Sequence, residues 1–468
     1  MSRNRARNET HGRSRGEGTA RRVAYETLRS VNDSDAYANL LLPVAIARAG
    51  LDAKDAALAT ELTYGTLRRQ GTYDAIIAAA SDRPVERIDP EVRDALRLGC
   101  HQLLSTRIAS HAAVNESVAL VRAAAGAGAA GFANAVLRRI ARETPGAWYE
   151  RIERRARSED ERLGLAFSHP VWILRALRRA LTAEGRGDEL EDLLRADNAA
   201  PRVTMAALPG LGEPPAAATP GHYAPTAFRV GGGDPEVLIR ASDGRLRVQD
   251  EGSQLVALAL SRFAPVSAGE RWLDLCAGPG GKTALLAAEA RRVGATLEAN
   301  EIAPARAGLV RNAVAGVPGG VEVSEEDGRE RAIRAPGAYD RILVDAPCTG
   351  LGALRRRPEA RWRKQPSDVA TLVDLQRELL SAAITALKPG GVVAYVTCSP
   401  HIAETTGVVA EVLRERGEEV EELDAATALQ SVAAHPLDLA RPEGARHAQL
   451  WPHRHDTDAM FLALLRRR

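Results

Sequence analysis

"LDLCAGPGGKT", residues 273–283, is the stretch on which the fold turns: an apolar strand runs into a glycine turn that opens a helix. Glycines let a backbone approach a ligand closely, and a helix N-terminus presents free N–H groups. Two readings compete. A nucleotide P-loop needs Gly-x-x-x-x-Gly-Lys-Ser/Thr. Gly281, Lys282 and Thr283 fit that pattern, but Cys276 stands where its first glycine is required. The other reading is the nucleoside-cofactor turn of a Rossmann-like sheet, which expects an acid about 20 residues on, at the end of the next strand. Glu301 occupies that place, after "LEAN".

Downstream, strand and helix patterns alternate. The strand "RWLDLC" (271–276) and helix "KTALLAAEA" (282–290) are followed by "ATLEAN" (295–300) and "PARAGLVRNAV" (304–314). Strands follow at "VEVSE" (321–325) and "DRILVDAP" (340–347), and a helix carries Leu372, Leu375, Leu379, Leu380, Ala383 and Leu387 on one face. "GGVVAYVTCS" (390–399) and "AMFLALL" (459–465) supply the last strands. This alternation predicts a parallel sheet with helices on both faces over residues 251–468.

Upstream the texture differs. Residues 19–145 predict an all-helical domain. Val92, Ala95, Leu96, Gly99, Cys100 and Leu103 share one helix face, which makes Cys100 a core thiol. The Gly/Ala stretch 124–131 predicts a turn between two helices. Residues 146–250 begin with charged helices such as "VWILRALRRAL" (171–181). They continue with short apolar runs, "RVTMAAL", "AFRV", "VLIR" and "LRVQD", read as strands of a small α/β unit. Residues 1–22 carry seven Arg against two Glu without apolar periodicity, so residues 1–18 read as a disordered basic arm.

Composition narrows the function classes. A chain of 468 residues suggests two to four domains, and 45% hydrophobic with 26% charged residues excludes a disordered or fibrous chain. No apolar run in the sequence pattern reaches the roughly 18–20 residues of a membrane span, and the N-terminus lacks the apolar core of a secretory signal. The four cysteines, Cys100, Cys276, Cys348 and Cys398, are widely spaced without a CxxC pair, which argues against a disulfide framework or a zinc cluster. A reducing cytoplasm fits best.

Three further motifs carry chemistry. In "EEDGRE" (325–330), Asp327 follows a strand and is placed to bond an adenine amino group, with a plain Asp-Gly turn as the alternative. "ILVDAPCTGLG" (342–352) delivers Asp345 and Cys348 to the crevice where open α/β sheets bind ligands. "VVAYVTCSP" (392–400) brings Cys398 to the same sheet edge. Two thiols beside a cofactor turn supply a nucleophile, with a redox pair as the alternative.

The order "DLCAGPGGKT … NE … EDG … DAPCTGLG … TCS" resembles the RNA (cytosine-5) methyltransferases that use S-adenosylmethionine. That resemblance covers the chain from about residue 245, including "VQDEGSQLVAL" (248–258). "HAAVNESVALV" and "FANAVLRRI" resemble a NusB-type RNA-binding domain. The pairing resembles the RsmB (Sun/Fmu) family, which modifies a cytosine of small-subunit (16S) ribosomal RNA. The implied architecture is an all-α NusB-like domain (19–145), a helical linker with a small ferredoxin- or RRM-like α/β RNA-binding subdomain (146–250), and a Rossmann-like methyltransferase domain (251–468).

The resemblance implies that Cys398 attacks C6 of cytosine and that Cys348 assists release of the adduct. Asp345 would bond the cytosine edge, and Lys282 would hold the base or lower a thiol pKa. Cys276, Ala277, Gly278, Pro279, Gly280, Gly281 and Lys282 would cradle the methionine part of S-adenosylmethionine. Glu301 would take the ribose and Asp327 the adenine side, with Asp345 also at the cofactor. Arg355, Arg356, Arg357, Arg361, Arg363 and Lys364, with Trp362 among them, suit RNA phosphates and base stacking. The implied partner is RNA, 16S ribosomal RNA first, for a monomer with no membrane and no metal. A transfer RNA is the alternative substrate, and a non-catalytic RNA-binding assembly factor or a P-loop ATPase the alternative class.

Two departures bear on substrate choice. Where the family often has Glu-Glu-Asn after the second cysteine, this chain has Glu404 and then Thr405. Where it tends to read Asp-Gly-Phe-Phe, this chain has Asp458, Ala459, Met460 and Phe461. The "WPHRHD" run (451–456) is read as a polar surface strand, because His453, His455 and Asp456 alone are weak metal ligands.

Overall fold

The computed structural model describes residues 13–34 and 36–468. Residues 1–12 of the basic arm lie outside the described residues, and the first helix runs Arg13–Asp33. The chain forms two compact units. The first comprises residues up to Arg175, Asp197–Ala199 and Leu354–Arg363, and the second takes the remainder.

The first unit is helical. Several of its helices start where a side chain accepts a free N–H group of the first turn. Asp52 caps Ala53–Arg68, Asp89 caps Pro90–Ser105, Thr144 caps Pro145–Glu153 and Ser158 caps Glu159–Phe167. Tyr73, Leu96, Cys100, Leu137 and Trp148 are fully buried in one core. Cys100 is thus the expected core thiol, and burial pushes its pKa up.

The helix Ser110–Ala141 is long and apolar enough, by length and composition, to cross a membrane, which the sequence pattern did not predict. Gly126 breaks it at φ 84° and ψ −177°, inside the expected turn. Each arm is then shorter than the roughly 20 residues a span requires. Val114, Val121, Val136 and Leu137 bury into the helical core.

The second unit holds two sheets. The small one is antiparallel: β1 (Met205–Ala207), β2 (Thr219–Pro220), β3 (Ala227–Arg229) and β4 (Leu246–Val248), in the order β2-β3-β1-β4. "VLIR", expected as a strand, lies in the helix Pro235–Ala241. Asp234 accepts from Glu236 N there and Pro235 pre-sets the first turn, so capping overrides the apolar run. The β1–β2 connection carries no helix, so only one helix of a β-α-β-β-α-β arrangement is present.

The large sheet has eight strands: β5 (Arg271–Asp274), β6 (Thr296–Asn300), β7 (Glu322–Ser324), β8 (Tyr339–Asp345), β9 (Leu387–Thr397), β10 (Val420–Leu423), β11 (Ala448–Gln449) and β12 (Phe461–Arg467). Their order is β10-β12-β9-β8-β5-β6-β7, with β11 beside β12. Strands β5 to β9 pair in parallel. β12 runs antiparallel to both β9 and β10, so the sheet is mixed at one edge.

Alternate residues of the central strands enter two cores. Leu343, Ala394, Leu462 and Leu464 face Leu255, Leu258 and Leu429. Ile342, Val344, Val393, Tyr395 and Leu465 face Leu379, Leu380, Val408 and Val412. Burial on both faces explains the unbroken apolar runs of β8 and β9. The chain leaves β5 for β6 and β7, then returns to β8 on the other side of β5, which sets the topological switch point at the carboxyl ends of β5 and β8.

Candidate active site

β5 ends at Asp274, and the loop through Gly280 leads into the helix Gly281–Val293. Ala277 N donates to Asn300 O (2.9 Å) and Gly280 N to Ala277 O (2.7 Å). Gly280 has φ 100°, which a side chain rarely adopts. A Cβ on Gly278 would lie 2.4 Å from Glu301 Oε2, so glycine lets the Glu301 carboxylate close against the turn. The loop is therefore a tight glycine turn at a helix N-terminus, which fits a nucleoside-bearing cofactor.

Glu301 is buried at the end of β6. Its Oε2 accepts from Gly278 N (3.0 Å) and its Oε1 from Ala303 N (3.1 Å). Arg306 donates to Gly278 O (2.6 Å) and pairs with Glu301 at 3.4 Å. The expected acid thus reaches the glycine turn. Asn300, which the sequence reading passed over, ties three strand ends together. Its Nδ2 donates to Leu275 O (3.2 Å) and Glu326 O (3.0 Å), and its Oδ1 accepts from Ser324 Oγ (2.9 Å).

Asp327 follows β7 as the cap of the helix Gly328–Ile333, accepting from Arg329 N (2.9 Å). The Arg329 guanidinium holds its carboxyl below the usual range. The Asp-Gly turn is therefore a helix cap, with the Asp327 carboxylate already engaged.

Lys282 and Asp345 meet across the switch point, Nζ to Oδ2 at 2.8 Å. Burial alone would lower the Lys282 pKa, but the Asp345 carboxylate outweighs it and keeps the ammonium charged, with Cys398 adding to the same effect. Behind them, Thr283 Oγ1 donates to Asp274 Oδ2 (2.7 Å), and burial pushes the Asp274 carboxyl up to about 7.

Cys348 and Cys398 come together with their sulfurs 3.5 Å apart and no disulfide between them. Backbone bonds fix the two turns. Ala346 N donates to Val396 O (2.9 Å) and Gly352 N to Cys398 O (2.8 Å), while Gly352 O accepts from Ala459 N (2.9 Å). A hydrogen bond to Cys398, burial, and the Glu404 and Asp345 carboxylates push the Cys348 thiol well above its ordinary range. Burial and the neighbouring Asp274, Asp345 and Glu301 do the same to Cys276, which sits in the cofactor loop. Glu404, read from sequence only as an altered helix start, is fully buried behind both thiol turns.

The arginine run corrects an expectation. Leu354–Arg363 packs within the helical unit, and Arg361 has no exposed surface. Its guanidinium donates to Arg68 O (2.9 Å), Ser168 O (3.2 Å), Asn198 Oδ1 (2.8 Å) and Asp197 O (2.8 Å). Arg355 is also buried, Arg363 donates to Ala36 O (2.7 Å), and Arg357 lies over the Tyr37 ring. Arg361 and Arg355 are thus structural and face no RNA. "WPHRHD" is corrected too. Pro452–His455 is a short helix, His455 is buried with its Nδ1 accepting from Trp451 N (2.9 Å), and His453 pairs with Glu189.

Comparison with known proteins is consistent along the chain. Residues 263–466 match the family model described as 16S rRNA methyltransferase RsmB/F, and residues 18–142 match the NusB family. A putative methyltransferase of Mycobacterium tuberculosis is 51% identical over 96% of this chain and 96% of its own length. Ribosomal RNA small subunit methyltransferase B of Pseudomonas putida is 32% identical over 91% of this chain and 95% of its own. The crystal structure of PH0851 shares the fold, with a TM-score of 0.78 and 23% identity over 96% of this chain and 98% of that one.

Proposed function

Because this chain belongs to the RsmB/F family of S-adenosylmethionine-dependent RNA methyltransferases, we propose that it methylates C5 of a cytosine in 16S ribosomal RNA through a covalent Cys398–C6 adduct. The observation that carries this reading is the pair of thiols, 3.5 Å apart, at the ends of two adjacent strands beside Lys282 and Asp345.

C5 of cytosine is a poor nucleophile. A thiolate that adds to C6 makes C5 enamine-like. C5 then takes the methyl group, and a general base must remove the C5 proton so that the electron pair restores the C5–C6 double bond as the thiolate leaves. S-adenosylmethionine, when bound, supplies the electrophilic methyl. Residues 276–282 would hold its methionine part, Glu301 its ribose and Asp327 its adenine side. The resemblance to the family assigns the attack to Cys398, which lies near the Lys282 ammonium. Cys348, in contact with the sulfur that must leave, assists release. Asp345 would bond the cytosine N3/N4 edge and, with Lys282, stabilise charge as C6 is attacked.

The target base must leave its stack, at a cost of a few kcal/mol that a looped or single-stranded site reduces. Ribosomal RNA is favoured by the Pseudomonas putida relative, named ribosomal RNA small subunit methyltransferase B, and by the NusB match. The test incubates the enzyme with methyl-labelled S-adenosylmethionine and 16S rRNA from a strain lacking the gene, then digests the RNA to nucleosides. Label in 5-methylcytidine is the expected result. Label on adenine would overturn the chemistry, and label only when transfer RNA is offered would overturn the substrate.

A further inference from the structure

We propose that Glu404 is the positioning residue for both thiols, its carboxylate clamping the turn that carries Cys348 to the turn that carries Cys398. The proposal rests on the covalent reading above. Glu404 is fully buried at the end of the 3-10 turn Ile402–Glu404. Its Oε1 accepts from Thr349 N (2.7 Å) and from Gln376 Nε2 (3.2 Å). Its Oε2 accepts from Thr349 Oγ1 and from Ser399 Oγ (2.7 Å). Thr349 directly follows Cys348, and Ser399 directly follows Cys398. Gln376 also donates to Pro347 O (2.8 Å), the residue before Cys348. The clamp is itself held, because Tyr395 Oη donates to Glu404 O (2.7 Å).

The chemistry of the donors explains why a carboxylate stands here. Four donors converge on two oxygens. An ionised carboxylate accepts all four, being acceptor-only. An amide of the same shape has one oxygen, and its NH2 group would face donors. The charge has a second consequence. The titratable groups around Cys348 are Cys398, Glu404, Asp345 and Tyr395, with Lys282 bound to Asp345. Glu404 is the carboxylate that both acts on the Cys348 thiol and fixes its turn, so it links the thiol's position to its protonation. Displacing a reacting atom by about 1 Å can cost on the order of 100-fold in rate.

The test compares Glu404→Gln, Thr349→Val and Thr349→Ser with the wild-type full-length enzyme. Methyl transfer is measured at saturating RNA and cofactor. In parallel, iodoacetamide alkylation of Cys348 is followed against pH by peptide mass, which needs no RNA and so is independent of the substrate assignment. For Glu404→Gln we expect kcat to fall on the order of 100-fold with both KM values within about threefold of wild type. The half-alkylation pH of Cys348 should drop by about one unit or more, as expected when a nearby negative charge is removed. Thr349→Val should lose rate and Thr349→Ser restore it, which keeps the test decisive if Glu404→Gln does not fold. Wild-type kcat in Glu404→Gln would overturn the proposal. An unchanged Cys348 alkylation profile would also overturn it, as would equal rates in the Val and Ser variants.

Discussion

Cys348 Sγ lies 3.5 Å from Cys398 Sγ, across 50 positions of sequence, because β8 and β9 are adjacent parallel strands that end at the same sheet edge. The separation exceeds the roughly 2.05 Å of a disulfide, so the pair consists of two thiols in contact. Their environments differ. Cys348 is pressed toward the protonated form by the hydrogen bond to Cys398, burial and two carboxylates, whereas Cys398 neighbours an ammonium.

Lys282→Met keeps the length of the side chain and removes its charge. Asp345 then loses its partner at 2.8 Å, and the site loses a fixed positive group near Cys398. We expect kcat to fall on the order of 100-fold, the scale of losing one preorganised electrostatic group. Single-turnover methyl transfer measures it, and retention within a few-fold would remove Lys282 from the chemistry.

Gly278→Ala places a methyl 2.4 Å from Glu301 Oε2 and within 3 Å of Arg306. The clash falls on the cradle itself, so calorimetry should show S-adenosylmethionine binding weakened by at least about tenfold, some 1.4 kcal/mol. Folding should be nearly intact. Unchanged affinity would show that the cofactor does not use this edge of the loop.

Arg361→Met leaves the carbonyl oxygens of Arg68, Ser168 and Asp197 without their shared donor. Urea titration of the helical unit should show a loss of about 3 kcal/mol, the scale of unpairing buried polar groups. Binding of RNA at native stability should change little. A variant as stable as wild type but weak for RNA would reverse the structural assignment.

Stability should depend on pH through Asp274. Its carboxyl is raised to about 7 in the folded state by burial, against an unfolded value of 3.8. A raised acid holds its proton in the folded state, so its contribution is fully present below pH ~4 and is lost as pH rises through ~7. Asp274→Asn should flatten that slope, worth on the order of a few kcal/mol, in chemical denaturation between pH 4 and 8. His169 acts oppositely in the helical unit. Burial, chiefly, lowers it to about 4, so stability is lost as pH falls from about 6.5 through 4. An Asp274→Asn variant with the wild-type slope would contradict the first assignment.

Much of the site was legible because strand ends in an alternating sheet must share one edge. "LDLCAGPGGKT", Asp345, Cys348 and Cys398 could be placed there from pattern alone, and Glu301 from its spacing. The pairings were not legible. Lys282 meets Asp345 across 63 positions, and only strand order, with β8 returning beside β5, brings them together. Arg361 was misread because a run of arginines looks solvated. Here helix ends present carbonyl groups without intrahelical partners, and a guanidinium with five donors satisfies several at once. Glu404 was missed for a related reason: sequence shows an acid at a turn but not the donors around it. "VLIR" misled because four apolar residues suit a strand or a helix, and the Asp-Pro before them decided.

A covalent bond between Cys398 and the RNA would survive denaturation, so a denaturing gel reveals it. Cys348→Ala is mixed with unmodified 16S rRNA and S-adenosylmethionine, beside wild type and the Cys348→Ala/Cys398→Ala double variant. Cys348→Ala should give a slow-migrating protein–RNA band that is absent from the double variant. A band that persists without Cys398, or methyl transfer retained by Cys398→Ala, would contradict it.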